Sequence, residues 1–204
     1  AFLHVDVYLG RLIAQFGGWS YVLLGTIIFV ETGIVIAPFL PGDSLMFAAG
    51  AFASRDALDI RVLFPLFVIA AIIGDTANYL SGRWCRSLIA QNRELRWIRR
   101  DYLEQTQAFY AKHGAKMIII ARFVPVLRSF APFVGGLADM KYATFLTVNV
   151  IGGFLWVSLF LWGGYFFGSI PFVEERFSSF VVGVVLLSLV PLLLEAIQRK
   201  RKRS

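Results

Sequence analysis

Charged residues are scarce in this chain, and their scarcity excludes an ordinary soluble domain. Asp, Glu, Lys and Arg make up 16% of its 204 residues, whereas a soluble domain carries about 25%. Hydrophobic residues make up 58% and lie in long apolar stretches with the few charges between them. Because these stretches leave no room for a separate soluble core, the sequence predicts a single membrane domain over residues 1–204.

Cysteine and clusters of metal ligands are also lacking. Cys85 is the one cysteine, so no disulfide can form within the chain, and no His, Cys and acidic residues share the spacing of a metal site. We therefore expect neither a metal nor a cofactor. The net charge of +7 does not predict a nucleic-acid partner, because the basic residues lie at the ends of apolar stretches, where the positive-inside rule places them.

The first half of the chain predicts a surface helix, a re-entrant hairpin and a membrane crossing. Residues 1–19 carry Asp6 and Arg11 and lack a long apolar run, so we expect an amphipathic interfacial helix and no cleavable signal peptide. Residues 20–54 form two apolar segments around a Pro/Gly break, and the second is too short to cross, since a crossing needs about 20 residues. They predict a re-entrant hairpin, and residues 62–82 predict a transmembrane helix.

The second half of the chain repeats this pattern. Residues 83–114 form a basic and amphipathic segment that we expect in the cytoplasm, and residues 115–141 predict a second re-entrant hairpin. Residues 143–168 and 178–196 predict transmembrane helices, and residues 197–204 form a basic tail. The residues predicted to break the helices of the two hairpins are Pro38, Pro41, Gly42, Pro125, Pro132, Gly135 and Gly136.

The distribution of basic residues predicts the orientation in the membrane. Arginines crowd residues 83–100, and basic residues alone fill 199–203, which places both segments in the cytoplasm. The two hairpins then enter the membrane from opposite sides. The predicted fold is an all-α integral membrane protein with two inverted repeats, each a re-entrant helical hairpin plus a transmembrane helix, followed by a C-terminal transmembrane helix.

Ionisable residues inside the apolar hairpins are the main candidates for function. Glu31 and Asp43 lie in the first hairpin, and Arg122 and Arg128 lie in the second. A charge at membrane depth is costly unless it is paired or hydrated, so we predict that the acids and arginines pair and form a substrate and proton-coupling site. Each also has a structural interpretation: Asp43 as a helix N-cap, the arginines as anchors that reach to headgroups, and Glu31 as a neutralising partner.

A second, weaker constellation consists of Asp75, Asn78, Tyr79 and Arg83. Asp75 either lines the same cavity or caps a helix beside Arg83. The spacing Gly164-x-x-x-Gly168 suits either helix packing or a homodimer. The tryptophans, interpreted mainly as markers of the membrane interface, are Trp19, Trp84, Trp97, Trp156 and Trp162.

Motifs spread over nearly the whole chain resemble those of the DedA family, whose eukaryotic relatives are the VTT-domain (SNARE-associated Golgi) proteins. They are Glu31-Thr-Gly, Pro38-Phe-Leu-Pro41-Gly42-Asp43-Ser44, Gly74-Asp75…Tyr79…Gly82-Arg83 and Ala121-Arg122-Phe123-x-Pro125-x-x-Arg128…Pro132…Gly135-Gly136. The resemblance implies a multi-pass protein of the bacterial inner membrane with two re-entrant hairpins and a role in envelope maintenance linked to the proton-motive force. For some members it implies translocation of undecaprenyl phosphate or other phospholipids. The family's functionally required acids match Glu31 and Asp43, and its required arginines match Arg122 and Arg128.

We therefore predict a proton-motive-force-linked translocase of undecaprenyl phosphate or another phospholipid, with membrane lipids and protons as partners. Arg122 and Arg128 would bind the headgroup phosphate, since arginine offers planar bidentate donors. One alternative is a proton-coupled cation or drug antiporter with Glu31 and Asp43 as its ion site. Another is a non-transporting envelope assembly factor. An enzyme is not predicted, because the candidate nucleophiles at membrane depth, Ser44 and Ser129, have no histidine nearby in sequence.

Overall fold

The computed structural model describes residues 17–34, 42–90, 114–123 and 125–167. Within these ranges the chain is helical and contains no strand. The helices are α1 (Trp19–Gly33), α2 (Gly42–Ala53), α3 (Ile60–Ala90), α4 (Lys116–Ala121), α5 (Pro125–Leu137), α6 (Tyr142–Val157) and α7 (Gly163–Phe167), and a π-helical turn (Ser158–Trp162) joins the last two. The predicted all-α class is confirmed for this part of the chain.

In the described part of the chain, two continuous helical stretches are long and apolar enough to cross a membrane. They are Ile60–Leu88, with 29 residues, and Tyr142–Phe167, with 26 residues. Their positions agree with the predicted crossings at 62–82 and 143–168. The inverted arrangement of the two repeats, and the entry of each hairpin from its own side of the membrane, stay predictions.

The helices depart from the predicted pattern at two places. Helix α3 continues to Ala90, past the predicted end at residue 82, because the arginines that end the apolar run do not interrupt the backbone hydrogen bonds. Helix α5 contains Pro132, Gly135 and Gly136, all predicted as breaks. Helix α4 ends at Ala121 and α5 begins at Pro125, which is itself one of the predicted breaks. Proline's missing N–H costs nothing at the first position of a helix.

Gly42 begins α2, as expected of a residue at the end of a break. Several predicted features lie outside the described residues. They are the N-terminal surface helix up to residue 16, the breaks at Pro38 and Pro41, the basic segment from residue 91 to 113, Trp97, Gly168, the crossing at 178–196 and the tail at 197–204.

The chain divides into two compact units, each with its own close helix packing. In the first, which contains residues 42–66 and 157–167, α2 packs against the π-helical turn and α7. A Cβ atom on Gly50 would overlap the carbonyl oxygen of Leu161, and one on Gly164 would overlap that of Phe47. Each helix thus places a glycine against the backbone of the other, which is how helices in membranes approach closely.

The second unit, which contains residues 25–34 and 67–156, repeats this contact with different helices. A Cβ atom on Gly82 of α3 would overlap the carbonyl oxygen of Phe133, and one on Gly136 of α5 would overlap that of Tyr79. The spacing is the same in both units. On each helix, the glycine lies three residues after the residue whose carbonyl oxygen the glycine of the other helix approaches. We call this arrangement the reciprocal glycine contact. It explains why Gly136 lies inside a helix rather than breaking it.

Candidate functional site

Among the described residues of the second unit, four charged side chains are buried. They belong to Glu31, which is fully buried, and to Asp75, Arg122 and Arg128, which are each less than a tenth exposed. A buried charge left alone costs several kcal/mol, and its pairing decides whether it can be tolerated. The two acids and two arginines form two ion pairs, as follows.

The first ion pair joins Glu31 to Arg128. Glu31 lies in the last turn of α1, and Arg128 lies in the first turn of α5, so each is carried by a helix end next to a predicted hairpin break. The Arg128 Nη2 donates to the Glu31 Oε1. This contact agrees with the prediction that an acid of the first hairpin pairs with an arginine of the second.

The second ion pair joins Arg122 to Asp75 of α3. Arg122 directly follows α4, and its Nη2 also donates to the Oδ1 of Asn149 at 3.2 Å. The amide nitrogen of Asn149 donates in turn to the Ile72 carbonyl at 3.1 Å, which fixes the orientation of the amide. Gly153 provides the space, since a Cβ there would lie 2.7 Å from the Arg122 Nη1. Asp75 therefore holds Arg122, and it does not cap a helix beside Arg83.

Trp156 brings the two arginines together. Its ring centroid lies 5.6 Å from the Cζ of Arg122 and 5.3 Å from the Cζ of Arg128. A guanidinium over an indole ring at this range gains from the negative face of the ring. Trp156 is only 1% exposed, so its interpretation as an interface marker was wrong, whereas Trp19 and Trp84 are largely exposed, as that interpretation requires.

A small cavity lies between these groups. Thr32, Asp75, Arg122, Arg128 and Trp156 line it, and its volume is about 10 Å³. That is the room of roughly one water-sized sphere, which is too small for a phosphate group. Anything larger than water can reach both guanidinium groups only after side chains in the ion pairs move apart.

Asp43 belongs to the first unit. It is buried in the first turn of α2, where a carboxylate interacts favourably with the N-terminal end of the helix dipole. That position supports its structural interpretation. Its membership of one site with the two arginines stays a prediction.

The weaker constellation predicted on α3 is divided by the fold. Asp75 joins the charged site, and Asn78 is fully buried beside it. Tyr79 is a core residue: its ring stacks on Phe145 at 4.3 Å, and its hydroxyl donates to the Met140 carbonyl. Arg83 is about half exposed and lies 4.0 Å from an equally exposed Asp139, so it belongs to the protein surface.

Sequence reasoning assigned no role in the site to Trp156, Asn149 or Gly153, although Asn149-Val-Ile-Gly-Gly153 belongs to the stretches that resemble the DedA family. The signal for Asn149 was present, because an amide inside an uncharged crossing needs hydrogen-bond partners. The signal for Trp156 was its place well inside the predicted crossing rather than near either end, where tryptophan marks the interface. Nothing in the sequence indicates that a side chain at position 153 would collide with an arginine.

Comparison with known proteins places these residues in a family. The VTT domain matches residues 40–166. Protein DedA of Escherichia coli (strain K12) is 49% identical over 201 residues, which cover 98% of this chain and 92% of DedA. A membrane protein of Mycobacterium leprae (strain TN) is 38% identical over 178 residues, 87% of this chain and 80% of the relative.

The inner membrane protein YqjA of Escherichia coli (strain K12) is 30% identical over 173 residues, which cover 85% of this chain and 79% of YqjA. No solved structure matches the chain. The domain match spans more than half of the sequence, and the Mycobacterium leprae relative and YqjA are named as membrane proteins. The chain therefore belongs to the DedA family of VTT-domain membrane proteins.

Proposed function

We propose that this protein translocates a phosphate-bearing lipid, of the class of undecaprenyl phosphate, across the bacterial inner membrane in a process linked to the proton-motive force. The observation that carries this proposal is the pair of buried arginines, Arg122 and Arg128, which both lie against the ring of Trp156 and line the same cavity. Two guanidinium groups held this close offer several N–H donors toward one centre, which matches the oxygens of a phosphate. Surface anchors would instead extend toward water.

The acids supply a switch for this site. Glu31 occupies Arg128 and Asp75 occupies Arg122, so a phosphate must compete with a carboxylate for each guanidinium. Protonation of a carboxylate removes its charge and weakens its hold on the arginine. Entry of a proton would thus favour exchange of the acid for the lipid phosphate, and loss of the proton would favour release of the lipid.

A repeated architecture supports alternating access to this site. The reciprocal glycine contact joins the second helix of the first hairpin, α2, to the π-helical turn and α7 in one unit. In the other unit it joins the second helix of the second hairpin, α5, to α3. The same local contact built from opposite halves of the sequence is expected of inverted repeats, which place substrate sites near the midplane of the bilayer. In the proposed orientation the C-terminus is cytoplasmic.

A cation antiporter is less well supported by the same residues. Each buried acid of the second unit already has an arginine beside it, so a cation entering there would meet two positive guanidinium groups. The charge balance of this site suits an anion that replaces the acids. The antiporter therefore enters the test below as an alternative outcome.

Binding of a labelled phosphate lipid to purified variants in nanodiscs tests the proposal. Arg128→Lys keeps the charge and removes the planar donor pair, so we expect binding to weaken on the order of tenfold to a hundredfold, from the roughly 1.5–3 kcal/mol of one charged hydrogen bond. Glu31→Gln removes the competing charge, and we expect binding at wild-type strength or tighter. Net transport into liposomes should fail in both variants.

Arg86→Lys is the matched control. Arg86 forms an ion pair with Asp139, with 3.4 Å between the Arg86 Nη2 and the Asp139 Oδ2. Neither residue lines the cavity, so replacement of Arg86 should leave lipid binding unchanged. Wild-type binding in Arg128→Lys together with lost binding in Glu31→Gln would support the antiporter and contradict the phosphate site. Absence of lipid movement by the wild-type protein in any liposome, with binding unaffected in all variants, would favour an assembly factor.

A further inference from the structure

Asn78 connects the backbones of the two helices that carry the Glu31–Arg128 ion pair. Its Nδ2 donates to the carbonyl of Thr32 at 3.2 Å and to the carbonyl of Ser129 at 2.6 Å. Thr32 directly follows Glu31, and Ser129 directly follows Arg128. One side-chain amide therefore ties the residue after each partner of the ion pair to the same point on α3.

The orientation of this amide follows from its partners. Both are carbonyl oxygens, which only accept hydrogen bonds, so the amide nitrogen must face them. Among the described residues, the Asn78 Oδ1 and the neighbouring Ser129 Oγ have no hydrogen-bond partner. A buried polar atom without a partner costs about 1–3 kcal/mol. The two donated bonds offset part of that cost.

Asn78 acts without touching the cavity between the arginines. The cavity is lined by Thr32, Asp75, Arg122, Arg128 and Trp156, and Asn78 is not among them. Its two bonds are made to the backbone and do not engage the charged groups of Glu31 and Arg128. Asn78 can therefore influence a ligand through the positions of the two helix ends that carry these groups.

We infer that Asn78 is a positioning residue that holds Glu31 against Arg128 and so sets how readily this ion pair opens to a phosphate. The inference rests on the proposed phosphate site. It makes α3 the shared support of both ion pairs, because Asp75, one helical turn before Asn78, holds Arg122. Loss of the two hydrogen bonds from the Asn78 amide lets α1 and α5 separate. Glu31 then competes less well with a lipid phosphate for the guanidinium of Arg128.

A double-mutant cycle tests this inference. Asn78→Leu removes the donors at similar size, and Glu31→Gln removes the acid. In the wild-type background, we expect Asn78→Leu to tighten binding of a labelled phosphate lipid about tenfold, the effect of one to two buried hydrogen bonds. In the Glu31→Gln background the same change should have no further effect, because the competitor has already lost its charge.

Thr76→Val is the matched control on the same helix. The Thr76 hydroxyl donates to the Ile72 carbonyl within α3 at 2.7 Å, so its loss removes a hydrogen bond without loosening α1 or α5. We expect unchanged lipid binding. A general loosening of the fold would instead weaken binding in both backgrounds, and that result for Asn78→Leu would overturn the inference.

Thermal unfolding gives a readout that needs no lipid. It compares the wild-type protein, Asn78→Leu, Glu31→Gln and the variant that carries both changes. Asn78→Leu should lower the unfolding midpoint more in the wild-type background than in the Glu31→Gln background, since the amide bonds and the ion pair support each other. Equal lowering in both would overturn the positioning role even if Arg128→Lys loses lipid. Unequal lowering with no lipid binding by the wild-type protein would keep the positioning role and reject the phosphate site. If Asn78→Leu does not fold, Asn78→Ser, which keeps one donor, decides by the same criteria with a smaller change.

Discussion

Neutralising Asp75 should make the protein less stable and its affinity for an anionic headgroup higher. The Asp75–Arg122 pair is buried at both ends, with side-chain exposures of 4% and 5%. Removing one partner of such a pair costs about 3–5 kcal/mol. In Asp75→Asn, Arg122 keeps the Asn149 oxygen at 3.2 Å, and the new amide still offers an acceptor, so we expect the lower end, about 3 kcal/mol.

The free energy of unfolding that Asp75→Asn loses should be recovered when an anionic ligand binds. Arg122 without its carboxylate is a buried cation that lacks a charged partner, and a phosphate restores that partner. We expect the affinity for a labelled phosphate lipid to rise by up to about a hundredfold, because about 1.4 kcal/mol corresponds to a factor of ten. Net transport should fall, since release of the lipid then lacks a competing carboxylate.

Thermal unfolding and lipid binding in nanodiscs measure the two effects on one preparation. The control is Asp139→Asn, which neutralises an acid that is 49% exposed and pairs with surface arginines. Exposed ion pairs contribute about 0–1 kcal/mol, so both measurements should stay near wild type. A loss of lipid affinity in Asp75→Asn, in parallel with the loss of stability, would show that Asp75 supports the bound state and would refute its role as competitor.

Three further predictions concern packing and topology. Gly136→Ala should strongly reduce the yield of folded protein, because the new Cβ meets the backbone of Tyr79. Gly135→Ala should be neutral or slightly stabilising, because the atoms nearest to its new Cβ lie 3.5 Å or more away. Thermal unfolding compares the two variants, and equal effects would contradict the reciprocal glycine contact. Trp156→Phe should weaken lipid binding less than Trp156→Leu, since only the aromatic ring retains an attraction for the guanidinium groups, and equal loss in a binding titration would count against that attraction. A cysteine placed at Ser204 in a Cys85→Ser background should react only with reagents that reach the cytoplasm, and labelling from outside would reverse the proposed orientation.

The sequence predicted well those features that depend on hydropathy. The crossing predicted at 143–168 ends within one residue of the observed helical stretch Tyr142–Phe167, because an uncharged run of that length has few alternatives in a membrane. Hydropathy fails where a helix continues beyond the apolar run, as α3 does to Ala90. It also fails at Pro132, because the ring removes one hydrogen bond but neighbouring groups in a membrane protein can compensate.

The site was predictable in kind but not in its pairing. The cost of buried charge correctly selected Glu31, Arg122 and Arg128 as residues that need partners. Which acid meets which arginine depends on helix packing between distant parts of the sequence, and the partner of Arg122 is Asp75, which was predicted only as a secondary candidate. The central place of Trp156 in the predicted crossing argues against an interface marker, but an apolar helix face does not show which cations pack against the ring.

The reciprocal glycine contact limits how the second unit can move. Where Gly82 and Gly136 each rest on the other helix's carbonyl group, α3 and α5 cannot slide along each other without first separating, so they behave as one stiff element. In the proposed transport cycle, bending of the second unit would then fall where the helical path is interrupted after Ala121. Arg122 stands at that joint. A bend at this joint would move the guanidinium of Arg122, which the proposed function assigns to anion binding. Gating and ligand affinity would then both depend on the contacts of Arg122 with Asp75 and Asn149.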